Sequence, residues 1–406
     1  MNLFKSFRRD DATETEWIQN HTIPFPEPSA CGNVDFEQLR SYIGDKRIVW
    51  IGESSHGVSQ YNTLKTKLVS FLHTEMDFKV IAFESGLSEC FCANGLKSRL
   101  TAEEMLHQSI FSLWRTEENL PLFEHLKSSD LELAGFDFQP STKAHPMRQW
   151  LQSQGGLDQG TVDELHELTE RSIEWYYRIG EYRAKRQQVP DALLQQFEKS
   201  KAQAIETATR LREKLKSLPS SQTMLMLDRF LLNLDAFLNC FTLSFRAYAK
   251  RRDQMMAENL EWLLTSIYPN EKVIVWAHNG HMFKSFKPFI GFKPMGSLVS
   301  KEIVDQSYFI GLFMYEGTAA TNSGEPYPIQ KPRKRSLEEL LNRQEAEVGF
   351  LDLRQAQIGP DNKWISRETI ILEAGSFERL IVPNQQLDGL FFIRKASPPQ
   401  YLKATN

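Results

Sequence analysis

The chain has 406 residues, a formal net charge of −4, 41% hydrophobic and 25% charged residues. That balance belongs to a soluble globular protein with room for two or three cores at roughly 150 residues each. The mild acidity excludes a general pull toward nucleic acid or anionic membrane, and four cysteines (Cys31, Cys90, Cys92 and Cys240) are too few for a disulfide framework. The start, MNLFKSFRRDDATETEW, lacks the apolar stretch of a secretory signal. The most apolar long stretch, Met224 to Phe245, carries Asp228, Arg229 and Asp235, which suits a buried helix better than a membrane span. A cytoplasmic protein with no nucleic-acid or membrane partner is expected; composition says nothing of its oligomeric state.

Residues 1–45 read as a leader, with turn formers at 23–32 and a short helix over 36–43. The first strong strand is 47–51, followed by Gly52-Glu-Ser-Ser-His-Gly57 and a helix whose Tyr61, Leu64, Leu68, Phe71 and Leu72 share one face. Further apolar runs at 79–83, 131–136, 272–277, 308–314, 350–353 and 390–393 read as strands. Such nearly continuous runs are expected where helices cover both faces of a parallel sheet. Between 137 and 272 no strand is convincing, and 162–188, 191–218 and 222–248 read as long helices. The predicted class is α/β: a mostly parallel central sheet with helices on both faces and a large inserted helical layer. The predicted divisions are the leader (1–45), a first part of an α/β core (46–144), an inserted helical region (145–265) and a second part of the core (266–406).

In open parallel sheets, ligands bind beyond the carboxyl ends of the strands. Here those positions hold Glu53 and His56, Glu84, Asp137, and His278 with His281. A histidine titrates near neutrality and can take a proton from water, and a carboxylate three residues earlier can fix its tautomer; that reads His56 as a general base and Glu53 as its partner. His278 and His281, three residues apart, can face one site from a tight turn. Glu84 closes an apolar strand, as a desolvated proton-transfer group or as an ion-pair partner of Arg115 or Arg252. Trp114 is a candidate pocket wall, Arg115 a candidate oxyanion ligand, and Asp137 a candidate for orienting a histidine or binding a substrate hydroxyl. Histidines plus carboxylates also resemble a metal set, a reading that stays open on residue types alone. Neither Ser54 nor Ser55 sits in a Gly-x-Ser-x-Gly elbow, so activated water is the simpler nucleophile.

Gly52–Gly57, Ile81-Ala-Phe-Glu84, Trp114-Arg-Thr-Glu117, Gly135-Phe-Asp137, Arg252 to Asn259, Trp276-Ala-His-Asn-Gly-His281 and Pro294 to Leu298 occur in fixed order. Together they resemble the erythromycin esterase family, whose broader kin include bacterial proteins labelled as succinoglycan biosynthesis proteins. The resemblance implies a parallel α/β core and hydrolysis of a small-molecule ester, a macrolide lactone in the named enzymes, with no metal or other cofactor. It implies His56 as the base for water, with Glu53, Glu84, His278 and His281 as further active-site residues. Two positions depart from the family's pattern. Lys65 stands where an arginine is common, and Gln60 where an acidic residue is usual. At a carboxylate or substrate contact, lysine lacks the bidentate fork of arginine.

Overall fold

The computed structural model describes residues 2–142, 145–185, 187–285, 293–354 and 357–403. Eleven strands form among them: β1 (Ile23–Phe25), β2 (Ile48–Ile51), β3 (Phe78–Gly86), β4 (Glu132–Asp137), β5 (Lys272–Trp276), β6 (Ser307–Ala320), β7 (Pro326–Pro328), β8 (Val348–Asp352), β9 (Thr369–Glu373), β10 (Phe377–Ile381) and β11 (Gly389–Ala396). The class is α/β with a mostly parallel central sheet. The chain divides into two compact units, one of 1–82, 113–132 and 270–406 and a second of 83–112 and 133–269. The division expected at 144/145 falls partly on residue 144, outside the described residues.

The first unit carries the strand order β1-β8-β11-β6-β2-β5, with β3 beyond β5. β2 pairs in parallel with β5 on one side and β6 on the other, and β6 pairs in parallel with β11. All four residues of β2 are buried, as the apolar run 48–51 requires when both faces are covered. Trp50 stacks on Phe309 at 4.8 Å, and each such buried side chain contributes roughly 1.5–3 kcal/mol. β8 turns antiparallel to β11, and β1 closes that edge by pairing antiparallel to β8. Residues 23–25, read from sequence as part of a leader, are therefore an edge strand. Ahead of them runs the helix Asn2–His21. β9 and β10 form a separate antiparallel hairpin.

The second unit takes the last residues of β3, nearly all of β4, and the long helices Gln159–Ala184, Asp191–Lys216, Gln222–Cys240 and Phe245–Trp262. The third helix expected from sequence, 222–248, is in fact two. Ser244 caps the second of them, its hydroxyl accepting from the Ala247 N–H, a bond that closes a new helix rather than extending the old one. Ion pairs of Arg212 with Asp228 (2.7 Å) and Lys214 with Asp158 (2.9 Å) run between these helices and their flanks. Being exposed or half-exposed, such pairs add little to stability.

Candidate active site

Strand register builds the centre of the first unit. Ile51 lies level with Trp276 on β5 and with Ile310 on β6. Two residues beyond Ile51 comes Glu53, and two beyond Trp276 comes His278. The Asn279 N–H donates to the Glu53 carbonyl at 2.8 Å and the Asn279 side chain donates to the Leu312 carbonyl at 3.0 Å, tying the ends of β2 and β5 to the middle of β6. Gly52 is needed for this approach: a Cβ there would collide with Oδ1 of Asn279 and Sδ of Met282.

Glu53 is fully buried, and each of its oxygens is held. Oε1 meets Nδ1 of His56 at 2.7 Å and accepts from Nε1 of Trp114 at 2.7 Å. Oε2 accepts from Nζ of Lys65 at 2.8 Å. Lys65 lies on the helix Ser59–Met76, one turn from Tyr61 and Leu68 on its buried face, and is itself fully buried with its ammonium 3.9 Å from the Trp276 ring centre. Burial pushes the Glu53 carboxyl up, but the charges of Lys65 and His56 and their hydrogen bonds outweigh it and hold the group below the usual carboxylate range. The fork that one arginine would provide is here divided between the Lys65 ammonium and the Trp114 indole.

The His56 ring is fixed from three sides. Glu53 takes Nδ1, the Trp114 ring stands edge-on at 4.9 Å, and the His278 ring lies 4.9 Å away. With Nδ1 on a carboxylate, Nε2 is the nitrogen that can accept a proton from water. His278 caps the short helix Asn279–Met282: its Nδ1 accepts from the Gly280 N–H at 3.0 Å, and its Nε2 lies 3.2 Å from the Ser54 carbonyl. His281 follows on that helix, its ring 6.3 Å from His278. The two serines of the motif are engaged elsewhere, Ser54 Oγ with the Tyr61 hydroxyl at 2.9 Å and Ser55 Oγ with that of Tyr327 at 3.3 Å. Arg115 is half-buried beside Trp114, and its carbonyl accepts from the Leu402 N–H. Among the described residues, no three His, Cys, Asp or Glu side chains are grouped as a metal ion would require.

Two residues that the sequence did not single out join this cluster. Glu373 ends β9, with Oε1 3.3 Å from Nδ1 of His278 and Oε2 3.3 Å from a guanidinium nitrogen of Arg379 on β10. The turn after it is bonded to the same loop, the Ala374 N–H donating to the Ser54 carbonyl at 2.7 Å. The signal was present: Ile370-Ile-Leu-Glu373-Ala-Gly375 is one more apolar run stopping on a carboxylate beside small residues.

The second unit holds Glu84 and Asp137, both buried, around one guanidinium. Arg252 donates to Oδ2 of Asp137 at 2.8 Å through Nε and to Oε1 of Glu84 at 2.8 Å through Nη2. Glu84 thus forms an ion pair, with Arg252 as its partner. Burial raises the Asp137 carboxyl above its usual value against the pull of Arg252. For Arg252, burial alone would lower the pKa, but the two carboxylates outweigh it and the group stays firmly charged.

A sequence model of the family described as erythromycin esterase matches residues 73–396. The chain belongs to the erythromycin esterase family. The match spans Glu84, Trp114, Arg115, Asp137, His278 and His281, while Glu53, His56 and Lys65 precede it. A Bacillus subtilis (strain 168) relative named "Putative hydrolase YbfO" is 26% identical, over 95% of this chain and 92% of that protein. The protein named "Erythromycin esterase type II" from Escherichia coli is 24% identical, over 80% of this chain and 85% of its own length. A crystal structure of a succinoglycan biosynthesis protein shares the fold with a TM-score of 0.72 and 22% identity, covering 97% of this chain and 99% of that one. This member of the erythromycin esterase family places histidines and carboxylates at its strand ends and holds the central carboxylate, Glu53, with Lys65.

Proposed function

We propose that this protein is a hydrolase that cleaves a carboxylic ester or lactone with water activated by His56. The observation that carries the reading is the Glu53–His56 pair: a carboxylate pinned by Lys65 and Trp114 holds Nδ1 of a histidine whose ring is packed in place. His56 takes a proton from water through Nε2, Glu53 stabilises the imidazolium that forms, and the hydroxide adds to the carbonyl carbon. His278, held at both nitrogens by backbone groups, presents a fixed imidazole next to the reacting centre, and His281 stands on the same helix. Either supports the tetrahedral oxyanion or the departing alcohol. Lys65 acts through Glu53 and need not touch substrate. In this reading Trp114 and Arg115 line the site. The names of the relatives, one an erythromycin esterase and one a hydrolase, support the reaction class, and a small cytoplasmic ester or lactone is the substrate it would meet.

The test is incubation with a panel of macrolides and simple aryl esters, read by mass for the gain of one water. Turnover of an ester that falls about 10²–10⁴-fold in His56→Ala, with an unchanged melting temperature, is the expected result. Full activity of that variant on an accepted ester overturns the assignment.

A further inference from the structure

Glu373 is placed where one proton decides its chemistry. Its Oε1 is buried and lies 3.3 Å from Nδ1 of His278, yet it completes no hydrogen bond. On the imidazole side, Nδ1 accepts from the Gly280 N–H at 3.0 Å, and Nε2 lies 3.2 Å from the Ser54 carbonyl. An imidazole nitrogen and a buried carboxylate oxygen therefore stand side by side without a hydrogen bond joining them. Two acceptors at that distance repel, whereas a single proton on either atom makes the contact a charge-assisted hydrogen bond. Nor can the two groups drift apart. The Ala374 N–H ties the end of β9 to the Ser54 carbonyl, the carbonyl that His278 Nε2 also meets. Arg379 holds the other carboxylate oxygen and packs against Gly280, where a Cβ would stand 2.9 Å from its guanidinium.

We infer that Glu373 and His278 hold one proton in common, and that Glu373 is a positioning residue that sets the charge His278 presents beside His56. The groups facing Glu373 come from four elements. Arg379 lies on its own hairpin, His278 and His281 on the helix Asn279–Met282, His56 in the loop after β2, and Glu338 on the helix Leu337–Leu341. Burial favours the protonated acid, and Arg379 with His281 and His56 opposes it. The outcome is a carboxyl raised above its ordinary value, in the direction that lets it share a proton with an imidazole. A pair coupled this way loses its proton as a unit, so neither residue has a midpoint of its own.

The catalytic consequence rests on the esterase reading, but the proton does not, so the experiment needs no substrate. In protein carrying 15N-histidine and 13C-glutamate, the ring nitrogens of His278 and the side-chain carboxyl carbon of Glu373 are followed by NMR as pH is raised. Both signals are expected to move with one shared midpoint. In Glu373→Gln, the His278 midpoint falls by about one pH unit or more, a tenfold or larger change in proton affinity. Separate midpoints in the wild-type protein overturn the inference, and they do so even if the variant fails to fold; so does an unmoved His278 midpoint in a folded Glu373→Gln. If an accepted ester is found, the acidic limb of kcat/KM shifts in Glu373→Gln and returns toward wild type in Glu373→Asp. If no ester is turned over, the esterase reading fails while the NMR result stands by itself.

Discussion

Lys65→Met isolates what holds the Glu53 carboxylate in place. Both side chains are fully buried and their nitrogen and oxygen lie 2.8 Å apart. Methionine keeps the unbranched stem and removes the charge, leaving the carboxylate with Trp114 and His56 alone. Breaking a buried pair from one side costs about 3–5 kcal/mol, because the remaining charge stays out of water without its partner. The lower end applies here, since His56 can take up a proton and restore part of the neutralisation. For a unit of this size 1 kcal/mol is worth roughly 2–4 °C, so the melting temperature should fall by about 6–12 °C. The pH dependence follows from the direction of the Glu53 shift. Its folded pKa is lowered, so its contribution is present above the unfolded value of about 4.3 and is lost as pH falls through the folded one. The gap between wild type and Lys65→Met should therefore be full at neutral pH and close as pH drops below about 4. Urea unfolding at several pH values, with Glu53→Gln added to complete a double-mutant cycle, reads the effect. The double variant should recover most of the loss, because both charges are gone. A Lys65→Met protein within about 1 kcal/mol of wild type at pH 7, or a double variant no better than the single one, refutes the reasoning.

Two further substitutions probe other buried charges of the chain. Glu338 is buried with its carboxyl pushed up to about 7, and Oε1 accepts from the Leu372 N–H at 2.7 Å. A raised acid is at its most stabilising below its unfolded pKa and loses that stability as pH rises through the folded one. Glu338→Gln, which keeps an acceptor for Leu372, should thus be near neutral at pH 4 and stabilising by roughly 3 kcal/mol at pH 8, read by chemical denaturation at both. A variant equally stable relative to wild type at both values contradicts this. In the second unit, Arg252→Met strands two buried carboxylates, Glu84 and Asp137. A loss of about 3 kcal/mol or more is expected at neutral pH, shrinking in mild acid as one carboxylate takes a proton. Hydrogen exchange of β4 amides at two pH values would show it, and unchanged protection would count against the ion-pair account.

Much of the fold could be read because buried parallel strands leave an unmistakable trace: 48–51, 80–83 and 273–277 are apolar throughout and lead into Glu53, Glu84 and His278. The same trace located Glu53, His56, His278 and His281, which the register of β2 against β5 then brings level. β1 escaped notice since its three residues, Ile23-Pro-Phe25, sit among turn formers and gain strand character only from β8. The break at 241–244 was hidden because Phe241 and Leu243 continue the apolar period, and only the Ser244 cap ends it. Glu373 was missed for a different reason. Its strand is short and belongs to a separate hairpin, and nothing local says that the following turn is bonded to the Ser54 carbonyl. Nor does spacing distinguish a carboxylate that orients a histidine, as Glu53 does, from one neutralised by arginine, as Glu84 is. That difference lies in which cation the chain returns from far away in sequence.

Hydrolysis in isotopically labelled water, comparing wild type with His56→Asn on the first ester the panel identifies, bears most directly on the esterase reading. Wild type should place one labelled oxygen in the acid product, and His56→Asn should lose about 10²–10⁴-fold in rate with its melting temperature unchanged. Label recovered at an undiminished rate from the folded variant would contradict water activation by His56.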